Sequence, residues 1–120
     1  MIIDYQRISG RYIIHERKGK EYYTEYYIRD NLVKFEGEYL NDEKNGKGIE
    51  YNPDGQIQFD GEFLNGKEWE GKGYDKNNNI VFELKGGKGL IEKYDNYGIL
   101  LFEGEYLNGE RNGKGKEYGF

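Results

Sequence analysis

The chain has 120 residues, a net charge of −5 and no cysteine, and 34% of its residues are charged. The length fits one domain, and the absence of cysteine excludes disulfides and thiolate metal sites. The negative charge disfavours nonspecific binding to nucleic acid or to anionic membranes. A mean hydropathy of −1.06 is typical of disorder. However, 13 Tyr, 6 Phe and 1 Trp predict a folded chain, because disordered chains are poor in aromatic residues.

The amino-terminal stretch MIIDYQRISG has neither a basic n-region nor an apolar h-region, so no signal peptide is predicted. The longest purely aliphatic or aromatic run covers residues 99–102, whereas a membrane-spanning helix needs about 20 apolar residues. We therefore expect a soluble, cytoplasmic protein.

An apolar-x-aromatic-x-glycine-x-aromatic pattern recurs along the chain, with mostly charged residues between. Its occurrences in chain order are Ile8/Gly10/Tyr12/Ile14, Val33/Phe35/Gly37/Tyr39, Ile57/Phe59/Gly61/Phe63, Ile80/Phe82/Leu84 and Leu100/Phe102/Gly104/Tyr106. Alternation with a period of two predicts half-buried β-strands. The repetition is close, since FEGEYLNGERNGKGKEY at 102–118 differs from FEGEYLNDEKNGKGIEY at 35–51 at only three positions. We predict one domain over 1–120, with a divergent first unit at 8–32 and units at 33–56, 57–79, 80–99 (shortened) and 100–118.

Asn-Gly pairs mark the predicted turns. Asn65-Gly66 and Asn108-Gly109 follow their strands directly, whereas Asn45-Gly46 and Asn112-Gly113 precede the next strand. Asn-Gly favours the positive φ that tight hairpin turns require.

Gly-Lys-Gly segments at 46–48, 71–73, 87–89 and 113–115 open the second strand of each unit. Glycine normally weakens a strand, so a recurring one suggests that something bulky approaches closely. We expect aromatic rings of the neighbouring strand to lie across these glycines.

A connector of constant length joins each unit to the next, because the next strand always begins six positions after the last tyrosine. The fourth residue after the tyrosine is always Asn or Gly, namely Asn31, Gly55, Asn78 and Gly98. These are the residue types that adopt left-handed φ most readily, so each connector is expected to turn at this point.

The pattern resembles the MORN (membrane occupation and recognition nexus) repeat. The residues that carry the resemblance are Phe35, Gly37, Tyr39, Gly46 and Gly48; Phe59, Gly61, Phe63, Gly66, Gly71 and Gly73; and Phe102, Gly104, Tyr106, Gly109, Gly113 and Gly115. The unit at 82–94 departs from the pattern, since it has lost about four residues and has Leu84 in place of the first glycine. MORN units accompany lipid kinases, a histone methyltransferase domain and membrane-junction proteins, so the resemblance implies a helper rather than a catalyst.

The predicted fold is all-β, an elongated single-layer antiparallel meander of stacked hairpins with one aromatic-rich face. One hairpin alone is marginal in water, and neighbours share a continuous apolar face. Each hairpin advances about 10 Å, so five units predict a length of about 50 Å.

No catalytic site is predicted. Nucleophilic catalysis needs a nucleophile and a base that orients it, and the chain has one Ser (Ser9), one Thr (Thr24), one His (His15) and no Cys. Paired carboxylates such as Glu36 and Glu38 recur at the same offset in each good unit, which is typical of a solvated face.

No metal or cofactor site is predicted either. Asp75, Asn77 and Asn79 imitate the first ligands of an EF-hand loop, but Ile80 replaces the required glycine and Gly86 the bidentate glutamate. The Gly-Lys-Gly segments lack the frame of a phosphate-binding loop.

The first functional hypothesis is a protein-interaction or scaffold module whose aromatic-rich face takes a helix or an extended peptide. The residues of that face are Phe35, Tyr39, Phe59, Phe63, Trp69, Phe82, Phe102 and Tyr106. The alternative is that strong twist buries these rings among themselves. Open sheet edges also invite strand addition or a homodimer.

The second hypothesis is a module that binds phospholipid headgroups, which the family name implies. It rests on a ladder of lysines about 10 Å apart, namely Lys47, Lys72, Lys88 and Lys114. The interleaved carboxylates and the net negative charge disfavour it. A third hypothesis, sugar binding on an aromatic platform, rests only on the abundance of tyrosine.

Overall fold

Alternating apolar and charged residues form β-strands throughout the part of the chain that the structure describes. That structure, a computed structural model, describes residues 5–9, 12–17, 20–27, 32–95 and 97–118, with side chains from residue 21 onward except at 113 and 114. The strands are β1 (Tyr5–Ser9), β2 (Tyr12–Arg17), β3 (Lys20–Tyr26), β4 (Val33–Leu40), β5 (Glu43–Tyr51), β6 (Ile57–Leu64), β7 (Lys67–Tyr74), β8 (Ile80–Leu84), β9 (Gly89–Tyr94), β10 (Leu100–Leu107) and β11 (Glu110–Glu117). The predictions that lie outside the described residues concern Gly10, Asn31 and the side chains of Ile8, Ser9, Tyr12, Ile14, His15 and Lys114.

Neighbouring strands pair antiparallel in chain order, which confirms the predicted all-β meander of consecutive hairpins. Strands β1 to β8 form one sheet, and β9, β10 and β11 form a second sheet with β10 in the middle. The longest dimension of the molecule is 48 Å. The prediction of one continuous layer is wrong, because within the described residues β8 and β9 pair only through the bridge between Lys85 and Lys88 at their turn.

The two sheets contact each other across this break. The Gly87 N–H donates a hydrogen bond of 2.8 Å to the Trp69 carbonyl of β7. An ion pair of 2.6 Å joins Lys93 of β9 to Glu68 of β7. The second sheet therefore closes over one end of the first.

A row of glycines crosses the centre of the first sheet. Successive cross-strand pairs link its members, Gly37, Gly48, Gly61 and Gly71. A Cβ on Gly48 would lie 2.7 Å from the Phe35 ring and 3.1 Å from the Phe63 ring. Further contacts of this kind join Gly71 to Phe59, Gly73 to Phe82 and Gly115 to Phe102. Aromatic rings thus occupy the space above the glycines, which confirms that expectation at these positions.

The Gly-Lys-Gly segments are not equivalent in the sheet. The register places Gly71 opposite Gly61, which is itself opposite Gly48, so Gly71 corresponds to Gly48 and not to Gly46. A Cβ on Gly46 would meet the Glu38 side chain at 3.1 Å rather than a ring. The expectation of ring contact is therefore wrong for the first glycine of the 46–48 segment.

The core lies on one side of both sheets, here called the inner face. Its buried residues are Phe35, Phe59, Phe63, Phe82, Leu84, Ile91 and Phe102. Phe63 stands edge-on to Phe35 and Phe59, with ring centroids 5.3 and 5.4 Å apart. Such edge-to-face pairs add to the stabilisation from burial alone. The opposite side, the outer face, takes the alternate residues of each strand.

Bulky residues flank the break between the sheets. In the first sheet Leu84 pairs with Gly71 and ends the glycine row, and in the second sheet Ile91 pairs with Gly104. Both side chains are 1% exposed. The hairpins β4–β5, β6–β7 and β10–β11 each place two glycines opposite each other, whereas Leu84 and Ile91 fill the inner face on the two sides of the break.

Four hairpin turns in the described residues are two residues long and have left-handed φ at both positions. They are Asn41-Asp42, Asn65-Gly66, Gly86-Gly87 and Asn108-Gly109. Asn65-Gly66 and Asn108-Gly109 confirm the prediction. The prediction for Asn45-Gly46 is wrong, because both residues lie inside β5. The pairing of β5 with β4 shifts its register at this level, between Gly37 and Tyr39 of β4.

The connectors turn as expected, with positive φ at Gly55, Asn78 and Gly98. In these three connectors the side chain of the residue after the tyrosine stabilises the turn by accepting two backbone hydrogen bonds. The Asp75 carboxylate accepts from the N–H groups of Asn77 and Asn79 at 2.8 and 3.0 Å. These hydrogen bonds lower the pKa of Asp75, with the backbone bond from Asn79 contributing most. The side chains of Asn52 and Asp95 make the same pair of bonds.

Asp42→Gly is expected to raise the free energy of unfolding by about 0.5–1 kcal/mol, because Asp42 holds a φ of +65° that costs an L-residue energy. The matched variant is Gly66→Asp at the same turn position, where φ is +83° and a Cβ would meet nothing within 4 Å. It should lower stability by a similar amount. Urea unfolding of both variants measures the pair, and equal midpoints for Asp42→Gly and wild type would contradict the prediction.

Candidate functional site

The phenylalanines predicted to floor a binding groove form the core instead. Phe35 and Phe59 are 0% exposed, and Phe63, Phe82 and Phe102 are also buried. The prediction of an open surface at these five positions is wrong, because the curved sheet closes the rings over its own glycines. Burial of the rings among themselves was the alternative.

The three remaining residues of that predicted face are partly exposed. Tyr39 stacks on Tyr23, with ring centroids 3.8 Å apart. Trp69 lies against the backbone of Gly87 at the turn between β8 and β9. Tyr106 packs against the core and lines a surface pocket.

The predicted lysine ladder does not form one row. Lys47 pairs with Glu62 across β5 and β6, whereas Lys72 pairs with Asp60 and with Glu83. Glu62 and Asp60 are two residues apart on β6, so Lys72 lies two residues further along the sheet than the row that contains Lys47. Lys88 lies in the turn after β8, opposite Lys85. The register places carboxylates directly opposite Lys47 and Lys72, so the outer face presents mixed rather than positive charge there.

An open groove runs along β8, β9, β10 and β11, and most of the residues that line it, including Leu90, belong to the outer face. It consists of two pockets of about 800 and 550 Å³ that share Leu90 in their lining. These volumes are within the range of ligand-binding clefts. Leu90 is 71% exposed, although Ile91 beside it is buried in the core. We call this surface the Leu90 groove.

The two ends of the Leu90 groove differ in charge. The pocket next to the β8–β9 turn is lined by two glutamates and two lysines, Glu83, Glu105, Lys85 and Lys88. The other pocket is lined by Val81 and by two glutamates and one lysine, Glu92, Glu103 and Lys116.

Glu92 and Glu103 lie directly opposite each other on β9 and β10. Like charges in such a pair destabilise a sheet. The hydroxyl of Tyr94 donates to Glu92 at 3.3 Å, and that of Tyr118 donates to Glu103 at 2.7 Å. Lys116 of β11 lies directly opposite Glu103 in the strand register. With both carboxylates ionised, these three charged residues carry a net charge of −1.

Leu90 was missed by the sequence analysis, although a signal was present. Leu90 and Ile91 are adjacent in a predicted strand, and adjacent residues of a strand point to opposite faces. One of the two branched side chains therefore had to leave the core.

A partly buried group of charged residues lies on the inner face between the sheets. Glu68 binds Lys93 at 2.6 Å, and Glu50 binds Lys44 at 3.3 Å. The Lys44 Nζ also lies 4.4 Å from the centroid of the Phe35 ring. Burial, followed by the hydrogen bond with Glu50, raises the pKa of Glu68 to about 7. Burial also acts to raise the pKa of Glu50, but the hydrogen bond with Glu68 and the neighbouring lysines outweigh it and lower the pKa.

Stability is expected to fall as pH rises from about 5 to 8, because the folded chain holds a proton on Glu68 that the unfolded chain releases near pH 4.5. The stabilisation is complete below the unfolded pKa and is lost as pH passes the folded pKa of about 7. The expected loss is on the order of 1 kcal/mol. Thermal unfolding at pH 5, 6, 7 and 8 measures it, and Glu68→Gln should flatten this dependence. An equal slope in that variant would refute the assignment.

Within the described residues, no group of three or more His, Cys, Asp or Glu side chains is arranged to hold a metal ion. The same part of the chain has no helix that is long and apolar enough to cross a bilayer.

Stacked antiparallel hairpins, glycines under aromatic rings and an exposed apolar groove define a β-repeat protein with a surface suited to binding. The MORN repeat family model matches residues 35–57 and 102–119, so the chain contains MORN repeats in both of these stretches. MORN repeats generally mediate protein or membrane-lipid interactions and are not typically catalytic. Neither the comparison with curated proteins nor that with solved structures returns a significant match.

Proposed function

We propose that this chain is a non-catalytic protein-binding module, and the observation that carries the proposal is the exposed Leu90 at the centre of its groove. Leu90 is 71% exposed near the start of a strand whose other face is core. Exposed apolar surface rimmed by polar residues marks protein interaction sites, and a concave shape is typical of ligand sites. We place the interaction on the outer face, because the phenylalanines of the inner face are needed for folding.

A protein partner is better supported than a lipid surface. Carboxylates stand opposite Lys47 and Lys72, and the groove itself includes Glu83, Glu92 and Glu103. Anionic headgroups would be repelled by these carboxylates. The cytoplasmic location and the homodimer expected from the sequence stay predictions.

The test is selection of peptides from a displayed random library on the immobilised full chain, followed by fluorescence anisotropy with purified variants. Leu90→Lys should abolish binding of the selected peptides. The matched control is Leu40→Lys, because Leu40 is also exposed, at 57%, but lies at the end of β4 away from the groove. It should bind like wild type, and circular dichroism should show both variants folded.

Equal peptide binding by wild type and Leu90→Lys would overturn the proposal, as would a failure to enrich any peptide. Vesicle binding that rises with phosphoinositide content and disappears in a Lys72→Glu/Lys88→Glu variant would instead support the headgroup hypothesis.

A further inference from the structure

We propose that the Leu90 groove binds an extended peptide that carries a bulky apolar side chain and, two residues away from it, a lysine or arginine. The inference rests on the proposed function and assigns the chemistry of its partner. The apolar side chain covers Leu90, and the cation reaches over β9 towards the carboxylates of Glu92 and Glu103.

The conformation of the peptide follows from the backbone of β9. In the described residues β9 forms a ladder with β10 alone, and towards β8 it pairs only at the Lys85–Lys88 bridge. A strand with one side outside any ladder offers N–H and C=O groups to an added strand. Strand addition supplies affinity through the main chain and leaves specificity to alternate side chains. An extended segment therefore fits this edge better than a helix.

The spacing of the two peptide side chains follows from Leu90 and Glu92. They are two residues apart on β9, so they share the outer face and lie about 7 Å apart. An extended peptide has the same period, and its side chains at positions i and i+2 match the two groups. A cation at i+1 would point away from the groove.

The charge of the second side chain follows from the pair of carboxylates. Glu92 and Glu103 are directly opposite, and both line the pocket beside Leu90. Within the described residues, no ion pair involves either of them at salt-bridge distance. A cation placed between them relieves their mutual repulsion, and Lys116 balances only one of the two charges. An acidic residue at that position would be repelled.

The experiment measures binding of synthetic seven-residue peptides to the full chain by fluorescence anisotropy. All peptides have a Ser/Thr background and one leucine. The first set carries arginine either two residues before or two residues after the leucine, the second carries glutamine at those positions, and the third carries the arginine directly next to the leucine. We expect one orientation of the first set to bind about five-fold or more tightly than the peptides of the other two sets at low salt. The advantage should shrink at 1 M salt, where charges are screened within about 3 Å.

The protein variant is Glu92→Gln/Glu103→Gln, which should remove the advantage of the arginine peptide over the glutamine peptide. The matched control is Glu62→Gln/Glu70→Gln, because Glu62 and Glu70 form the same kind of opposed pair on β6 and β7. That control should retain the full advantage. Circular dichroism checks that both double variants are folded.

The outcomes separate this inference from the proposed function. Equal binding of the arginine and glutamine peptides, both lost in Leu90→Lys, would overturn the charge assignment and keep the groove. Equal binding of the arginine peptide to wild type and Leu90→Lys would overturn both. The inference is also wrong if Glu62→Gln/Glu70→Gln removes the advantage of the arginine peptide as fully as Glu92→Gln/Glu103→Gln does.

Discussion

Phe59→Ala is expected to lower the free energy of unfolding by about 3–5 kcal/mol, the largest effect of any single change considered. The Phe59 ring is 0% exposed and lies 5.4 Å from the Phe63 ring and 6.0 Å from the Phe82 ring, measured between centroids. Truncation leaves a cavity in the middle of the inner face, and the curved sheet cannot collapse onto it without losing the contacts of both neighbours. Domains of this size are stable by about 5–15 kcal/mol, so much of the total is removed.

Urea unfolding followed by circular dichroism measures the loss. The matched control is Tyr97→Ala, which removes an aromatic ring that is 81% exposed. It should change stability by less than about 0.5 kcal/mol. A folded Phe59→Ala variant with a wild-type midpoint would show that the inner face is not the core, and would reopen the inner-face binding groove.

The hairpins could be predicted because their causes are local. Alternation around Phe35 and Phe102 is enough to specify a half-buried strand, and left-handed turns need Gly or Asn wherever they occur. The connectors at Gly55 and Gly98 were recognisable for the same reason. Each of these features depends on a few consecutive residues, so a single repeat unit contains all the necessary information.

The exposure or burial of the aromatic face does not follow from the local sequence. Whether Phe59 floors an open groove or is buried depends on how strongly the sheet curves, and the curvature depends on glycines that meet across strands. The register was equally non-local. Asn45-Gly46 has the composition of a hairpin turn, but Asn41-Asp42 forms the turn because the strand pairing places Gly37 opposite Gly48.

The candidate site lies in the shortened unit at 80–99. Leu84 replaces the repeat glycine, and Ile91 faces the core from the next strand. These two residues flank the break between the sheets, where β9 has no ladder to β8, and Leu90 points outward beside Ile91. The departure at Leu84 is visible in the sequence, but the break is not, because finding it requires knowing which residues lie opposite one another.

The same glycine row leads to the second large effect, the loss of stability in Gly61→Ala. A Cβ on Gly61 would overlap the carbonyl oxygen of Glu70 and lie 2.7 Å from the Cα of Gly71. Both atoms belong to the backbone of β7, so no rotamer change relieves the overlap, and β6 and β7 must separate. We expect the free energy of unfolding to fall by about 3 kcal/mol.

Gly86→Ala is the matched control for Gly61→Ala, because a Cβ on Gly86 would meet nothing within 4 Å and only its φ of +57° is unfavourable. That change should cost about 1 kcal/mol. Thermal and urea unfolding of the two variants separate the steric effect of the glycine row from the general effect of adding a methyl group. Equal losses in both variants would mean that a Cβ costs no more in the glycine row than in an open turn, and close contact between strands would no longer explain the curvature that buries the phenylalanines.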